Sequence, residues 1–101
     1  NSINGISNTT TAEDLTAIKT ALAKTAKWPV DKITVNVLQN TGDHARGGML
    51  LTDSKGSAGG YWFAVKNSDS SWRIVLSGNG GISCTKMRKE GFVDAMIPDC
   101  A

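Results

Sequence analysis

His44 is the one histidine of the chain, and it follows Asp43 directly. A carboxylate beside an imidazole is the pairing that general-base and nucleophilic catalysis use: the carboxylate orients the ring, and the ring carries the proton. A Ser-His-Asp set can be drawn on paper from Asp43, His44 and any of several serines. No Gly-x-Ser-x-Gly elbow occurs, however, and a triad is defined by geometry that spacing does not supply. His44 stands where a turn runs into a strand, and an exposed or edge position is the preferred account of it. The acidic residues Asp53, Asp69, Asp94 and Asp99 lack the alternating-ligand spacing of a calcium loop and read as solvated turn residues. Gly78, Gly80 and Gly81 lack the lysine and the serine or threonine of a phosphate loop, so turn geometry explains them. These patterns imply no metal and no cofactor.

Cys84 and Cys100 are the only cysteines, sixteen residues apart. They form no Cys-x-x-Cys redox pair, and with a single histidine far away they are not half of a zinc site. A disulfide is the preferred reading over two buried free thiols. By chain-entropy arguments it would contribute about 3 kcal/mol, and it would persist only in an oxidising compartment. The expected location is therefore extracytoplasmic: secreted, periplasmic or cell-surface. The start, NSINGISNTTT, is polar and reads as a mature or trimmed terminus, so any membrane attachment would come through a removed export or anchor segment. Asn8-Thr9-Thr10 is a glycosylation sequon that matters only in a eukaryotic secretory setting.

Between the cysteines lies a basic group, Lys86, Arg88 and Lys89, which a constrained loop could present to an anionic polymer, lipid head groups or nucleic acid. Glu90, Asp94 and Asp99 offset it, and an ordinary solvated surface explains it as well. The net charge of +2 is too small to argue for nucleic acid, and no nucleic-acid partner is expected.

The elements that must position these groups read as follows. The 101 residues, 40 % apolar and 20 % charged, make one globular α+β domain over residues 11–101 with a flexible terminus over residues 1–10. TTTAEDLTAIKTALAKTAKWP is a helix. Thr10 with Glu13, or Thr11 with Asp14, marks its start, and Pro29 stops it. Leu15, Ile18, Leu22 and Ala26 form its apolar stripe. Four antiparallel strands follow at residues 32–38, 43–52, 61–66 and 71–77, with DSKGSAGG as a flexible connector. Gly47 and Gly48 mark a bulge or a place where another backbone passes close. Alternation puts Tyr61, Phe63 and Val65 with Trp72, Ile74 and Leu76 on the inner face against the helix. Trp62 then falls on the outer face beside Arg73. There it is either a partly covered residue packed by Arg73 or a contact on an open sheet face. The segment after Cys84 is a disulfide-closed C-terminal cap anchored by Phe92, Met96 and Ile97.

The run GYWFAVK, a polar turn, SWRIV, GNGGISC, then GF and MIPDC, resembles the C-terminal pattern of small exported bacterial domains of no established function; the likeness covers residues 43–100. At the level of architecture, one helix followed by four antiparallel strands is similar to cystatin-like and nuclear-transport-factor-like α+β rolls, which licenses no function. Cystatin inhibitors use a Gln-x-Val-x-Gly hairpin. The corresponding Gln39-Asn40-Thr41-Gly42-Asp43 lacks the valine and the final glycine, so protease inhibition is not supported. Helix, sheet and a disulfide loop carrying Cys84, Ile97, Pro98 and Cys100 also resemble the globular part of a type IV pilin, without that family's long apolar helix.

Three functions compete. The leading one is a non-enzymatic extracytoplasmic binding or accessory module whose partner is an unknown protein or an envelope polymer, with Trp62, Arg73, Lys86, Arg88 and Lys89 as candidate contacts. The second is a pilin-like structural subunit of a surface fibre, which would self-assemble. The third is a small enzyme using Asp43 and His44.

Overall fold

The structure is a computed structural model that describes residues 10–53, 55–78 and 80–100. The expected mobile stretch therefore lies outside the described residues except for Thr10, as does the sequon's Asn8. Thr10 is anchored, its Oγ1 accepting from Asn40 Nδ2 at 3.1 Å.

Helix α1 spans Ala12–Ala26. Thr11 caps it, its Oγ1 accepting from the Asp14 N–H at 3.1 Å, and Lys27 ends it in the left-handed region at φ 56°. A single 3₁₀ turn, Val30–Lys32, leads into the sheet. Strands β1 (Ile33–Asn40), β2 (His44–Asp53), β3 (Gly56–Lys66) and β4 (Trp72–Gly78) form an antiparallel meander in chain order. The short helix α2 (Cys84–Lys89) and a 3₁₀ turn, Asp94–Met96, make up the C-terminal cap. The Cys84–Cys100 disulfide closes it across a Cα separation of 5.1 Å. One helix on a four-stranded antiparallel sheet, with a disulfide at the C-terminus, is the architecture that the periodicities imply.

Three sequence expectations are corrected. First, DSKGSAGG is not a connector: β3 begins at Gly56, and its small residues continue the ladder opposite β2, with Asp53 facing Gly56 and Leu50 facing Gly59. Small side chains carry no apolar alternation, but they leave the backbone free to pair. Second, the helix stripe is rotated. Ile18, Leu22 and Ala23 are buried while Leu15 is 39 % exposed. Asp14 turns inward instead, where its carboxylate accepts from Trp72 Nε1 at 3.1 Å and meets Lys66 Nζ at 3.3 Å.

Third, the two faces of β3 are exchanged. Trp62 and Ala64, not Phe63, face α1, packed with Ile18, Leu22, Ala45 and Trp72. Phe63 faces the cap and packs with Ile82, Met87, Phe92, Met96 and Ile97, while Tyr61 and Val65 support that cluster. The expected inner face is thus split between two cores. A bulge accounts for part of this: the register runs from Phe63↔Leu76 to Ala64↔Ile74, leaving Val75 unpaired. One extra residue reverses the alternation, so Ile74 packs toward the helix and Leu76 toward the cap.

Candidate functional site

The chemistry-bearing side chains gather at the seam between the sheet and the cap. His44 opens β2 beside the β1–β2 turn. Its Nδ1 lies 2.8 Å from Asp43 Oδ1, and its Nε2 lies 2.9 Å from the Glu90 carbonyl. Both ring nitrogens face acceptors, and the edge of the ring stands against Phe92 at 4.8 Å between centroids. Gly91, at φ 93°, follows the carbonyl, and a Cβ there would fall 2.8 Å from His44 Nε2. The glycine is thus needed both for its backbone angle and for the close approach of the ring. The hydrogen bond from His44 holds the Asp43 carboxyl below the usual carboxylate range.

Asp43 and His44 are therefore brought together as the sequence pairing implies, but the nitrogen a general base would turn toward a substrate is directed at main chain. Their geometry closes the cap.

The rest of the seam repeats that role. From β2, Arg46 reaches across the face of Phe63, 4.6 Å from ring centroid to guanidinium carbon. It donates to both oxygens of Asp99, at 2.9 and 3.1 Å, and to the Met96 carbonyl at 2.8 Å. This two-pronged contact holds the Asp99 carboxyl below its ordinary range. Gln39 Nε2 donates to the Ala95 carbonyl at 3.3 Å. Arg73, on β4, donates to Glu90 Oε1 at 2.8 Å and so lowers the Glu90 carboxyl as well.

The sequence-derived contact set separates. Trp62 is wholly buried, 0 % exposed, with its Nε1 donating to the Gly48 carbonyl at 2.9 Å. It offers no surface, and Arg73 does not pack on it: Arg73 pairs across the ladder with Val65, on the other face. What admits the indole is Gly47, where a Cβ would sit 2.9 Å from Trp62 Cζ2 and collide with the Asn36 carbonyl. The close backbone approach expected at these glycines is present at Gly47, where the Asn36 carbonyl is the nearest atom and the Trp62 indole lies beside it.

Lys86, Arg88 and Lys89 are all exposed on α2. They occupy its last turn, where cations suit the free carbonyls, and Arg88 Nε also meets Asp94 Oδ1 at 3.0 Å. Among the described residues no group of three or more His, Cys, Asp or Glu is placed to hold a metal.

Open surfaces remain among the described residues. Past the cap, the same sheet face continues to Leu50, 42 % exposed, between Thr34 and Gly59 on the neighbouring strands. On the helix side, Trp28 and the tip of the β2–β3 hairpin border a cleft of about 260 Å³, lined also by Leu51, Lys55, Gly56, Ser57 and Ala58. Trp28 Nε1 is buried and has no hydrogen-bond partner among the described residues. Sequence reasoning missed this place. It treated Trp28 only as the end of a helix, and residues 55–58 only as a linker.

Compared with known proteins, the chain matches no family model, no curated protein and no solved structure.

Proposed function

We propose that this protein is a non-enzymatic extracytoplasmic binding or accessory module acting on a protein or an envelope polymer. The observation that carries the reading is the cap. A disulfide joins its two ends. His44, Arg46 and Arg73, the groups best suited to catalysis or anion binding, are engaged in holding the cap to the sheet. A domain that uses its reactive side chains as struts and leaves the part of a sheet face around Leu50 and a cleft open is suited to recognition. A disulfide in so small a domain fits an oxidising compartment, and no helix among the described residues is long and apolar enough to cross a membrane.

The test has two arms. Differential alkylation and mass spectrometry on protein from its native source is expected to find Cys84 and Cys100 joined; both thiols free would remove the assigned location. Capture from envelope extract is expected to enrich a partner, with no turnover on a broad hydrolase panel. Turnover abolished by His44→Ala would establish the enzymatic alternative instead.

A fibre subunit is the second reading, favoured by the order of helix, meander and disulfide-closed end. The precursor sequence decides it: a long apolar helix leading into α1 supports self-assembly, and any other upstream segment removes it.

A further inference from the structure

The three tryptophans are treated differently by the fold. The indole N–H of Trp62 donates to the Gly48 carbonyl at 2.9 Å, and that of Trp72 donates to Asp14 Oδ1 at 3.1 Å. The N–H of Trp28 is equally out of contact with solvent, yet no acceptor meets it among the described residues. Buried indole donors ordinarily find a partner, because a donor removed from water and left unpaired is costly. Trp28 is also the tryptophan that borders a cleft, and the cleft is not purely apolar: the Lys55 side chain and Ser57 contribute to its lining beside Leu51 and Ala58.

We propose that this cleft binds a small apolar molecule or chain end through an sp² oxygen, a carboxylate or a carbonyl, which accepts the Trp28 indole N–H. The inference rests on the binding-module reading and names its site and ligand chemistry.

Three features support that chemistry. The unpaired donor selects an acceptor and rejects a donor. Because the N–H is already desolvated in the unliganded fold, an arriving oxygen gains the bond without stripping water from the protein side. The walls made by the Trp28 ring, Leu51 and Ala58 suit a flat apolar body, and a cleft of about 260 Å³ has room for roughly one substituted ring. The nitrogen is covered in the unliganded fold, so the ligand oxygen reaches it only by displacing the atoms that cover it.

The experiment is a titration of ¹⁵N-labelled protein with benzoate, with benzamide and with toluene, observing the three indole N–H resonances. Trp28→Phe assigns the Trp28 signal and keeps an aromatic, though smaller, ring on the wall. Benzoate or benzamide is expected to move the Trp28 resonance and leave those of Trp62 and Trp72 in place. Trp28→Phe is expected to weaken that binding, followed through the Lys55–Ala58 amides, by about fivefold or more. Its melting temperature should stay at or above that of the parent, since an unpaired buried donor has been removed. Preference for benzoate that is lost in Lys55→Gln assigns a carboxylate; equal binding of benzamide assigns a neutral carbonyl. The proposal is overturned by the absence of any Trp28 shift at about 10 mM probe. It is equally overturned by toluene binding as well as the oxygen-bearing probes, or by Trp28→Phe binding them unchanged. Failure here with a partner still captured from envelope extract would sink the cleft and leave the binding-module reading standing.

Discussion

The two faces of the sheet are both covered, but by different physics. On the helix side, α1 lays Ile18 and Leu22 across Trp62, Ala64 and Trp72, and apolar interdigitation does most of the holding. Its polar contacts, Trp72 to Asp14 and Lys66 to Asp14, ride at the helix start. On the cap side the cover is one six-residue helix and a 3₁₀ turn, too short to be stable by themselves. That cover is fastened at both ends by the disulfide and along its length by hydrogen bonds to Arg46, Gln39 and His44. Where an element has its own helical propensity, packing suffices; where it has little, covalent and charged fasteners replace it.

Breaking the helix-side core should have the largest effect. Trp62→Ala removes a fully buried indole and leaves the Gly48 carbonyl without its donor. Denaturant unfolding is expected to show a loss of about 3–5 kcal/mol. A loss under about 1 kcal/mol would mean that Trp62 is not in the core.

Next in size is the disulfide. Cys84→Ser with Cys100→Ser is expected to cost about 3 kcal/mol. Hydrogen exchange should speed up first over residues 84–100 while α1 keeps its protection. Uniform loss of protection would show that the two covers are one cooperative unit.

Arg46→Met keeps an apolar side chain and removes the guanidinium, with its contact over Phe63 and its hydrogen bonds to Asp99 and Met96. The expected cost is about 1–2 kcal/mol, seen as a lower denaturant midpoint. The same fastener sets an acid limit. Arg46 depresses the Asp99 carboxyl, and Trp72 with Lys66 depresses that of Asp14. A carboxyl that ionises more readily in the folded state contributes its stability above the unfolded value of about 3.9. That contribution is lost as pH falls through the lower folded values, so unfolding midpoints should drop below about pH 4 and less steeply in Arg46→Met. Identical acid curves would remove Asp99 from the seam.

The smallest effect belongs to Arg88→Ala. Its pair with Asp94 is exposed on both sides, and the change is expected to stay within about 0.5 kcal/mol. A larger cost, read from the same unfolding curves, would make α2 a fastened element in its own right.

Much of the fold was legible because local rules wrote it. The Thr11 cap, Pro29 after the helix, the branched alternation of Ile33, Val35 and Val37, and the turn at residues 67–70 each act within a few residues. In that turn Asp69 accepts from the Ser71 N–H at 3.0 Å and from its hydroxyl at 2.6 Å. The candidate site was less legible. Trp62 and Arg73 looked like neighbours on an open face because the hairpin was read as an unbroken alternation. The bulge at Val75 and the room made by Gly47 depend on how residues of neighbouring strands meet across the ladder, which no pattern within one strand records. The Trp28 cleft was invisible for the same reason, since it joins a helix end to a hairpin tip more than twenty residues away.

The sequence by itself determined which elements form, in what order, and that two cysteines could close the tail, because capping, alternation and turn chemistry are short-range. Only the tertiary structure decided which face of β3 turns toward α1. Both faces are apolar, and a strand's period of two cannot choose between them. On the face that α1 covers, the Trp62 indole lies against Gly47, a contact between neighbouring strands that no local pattern records.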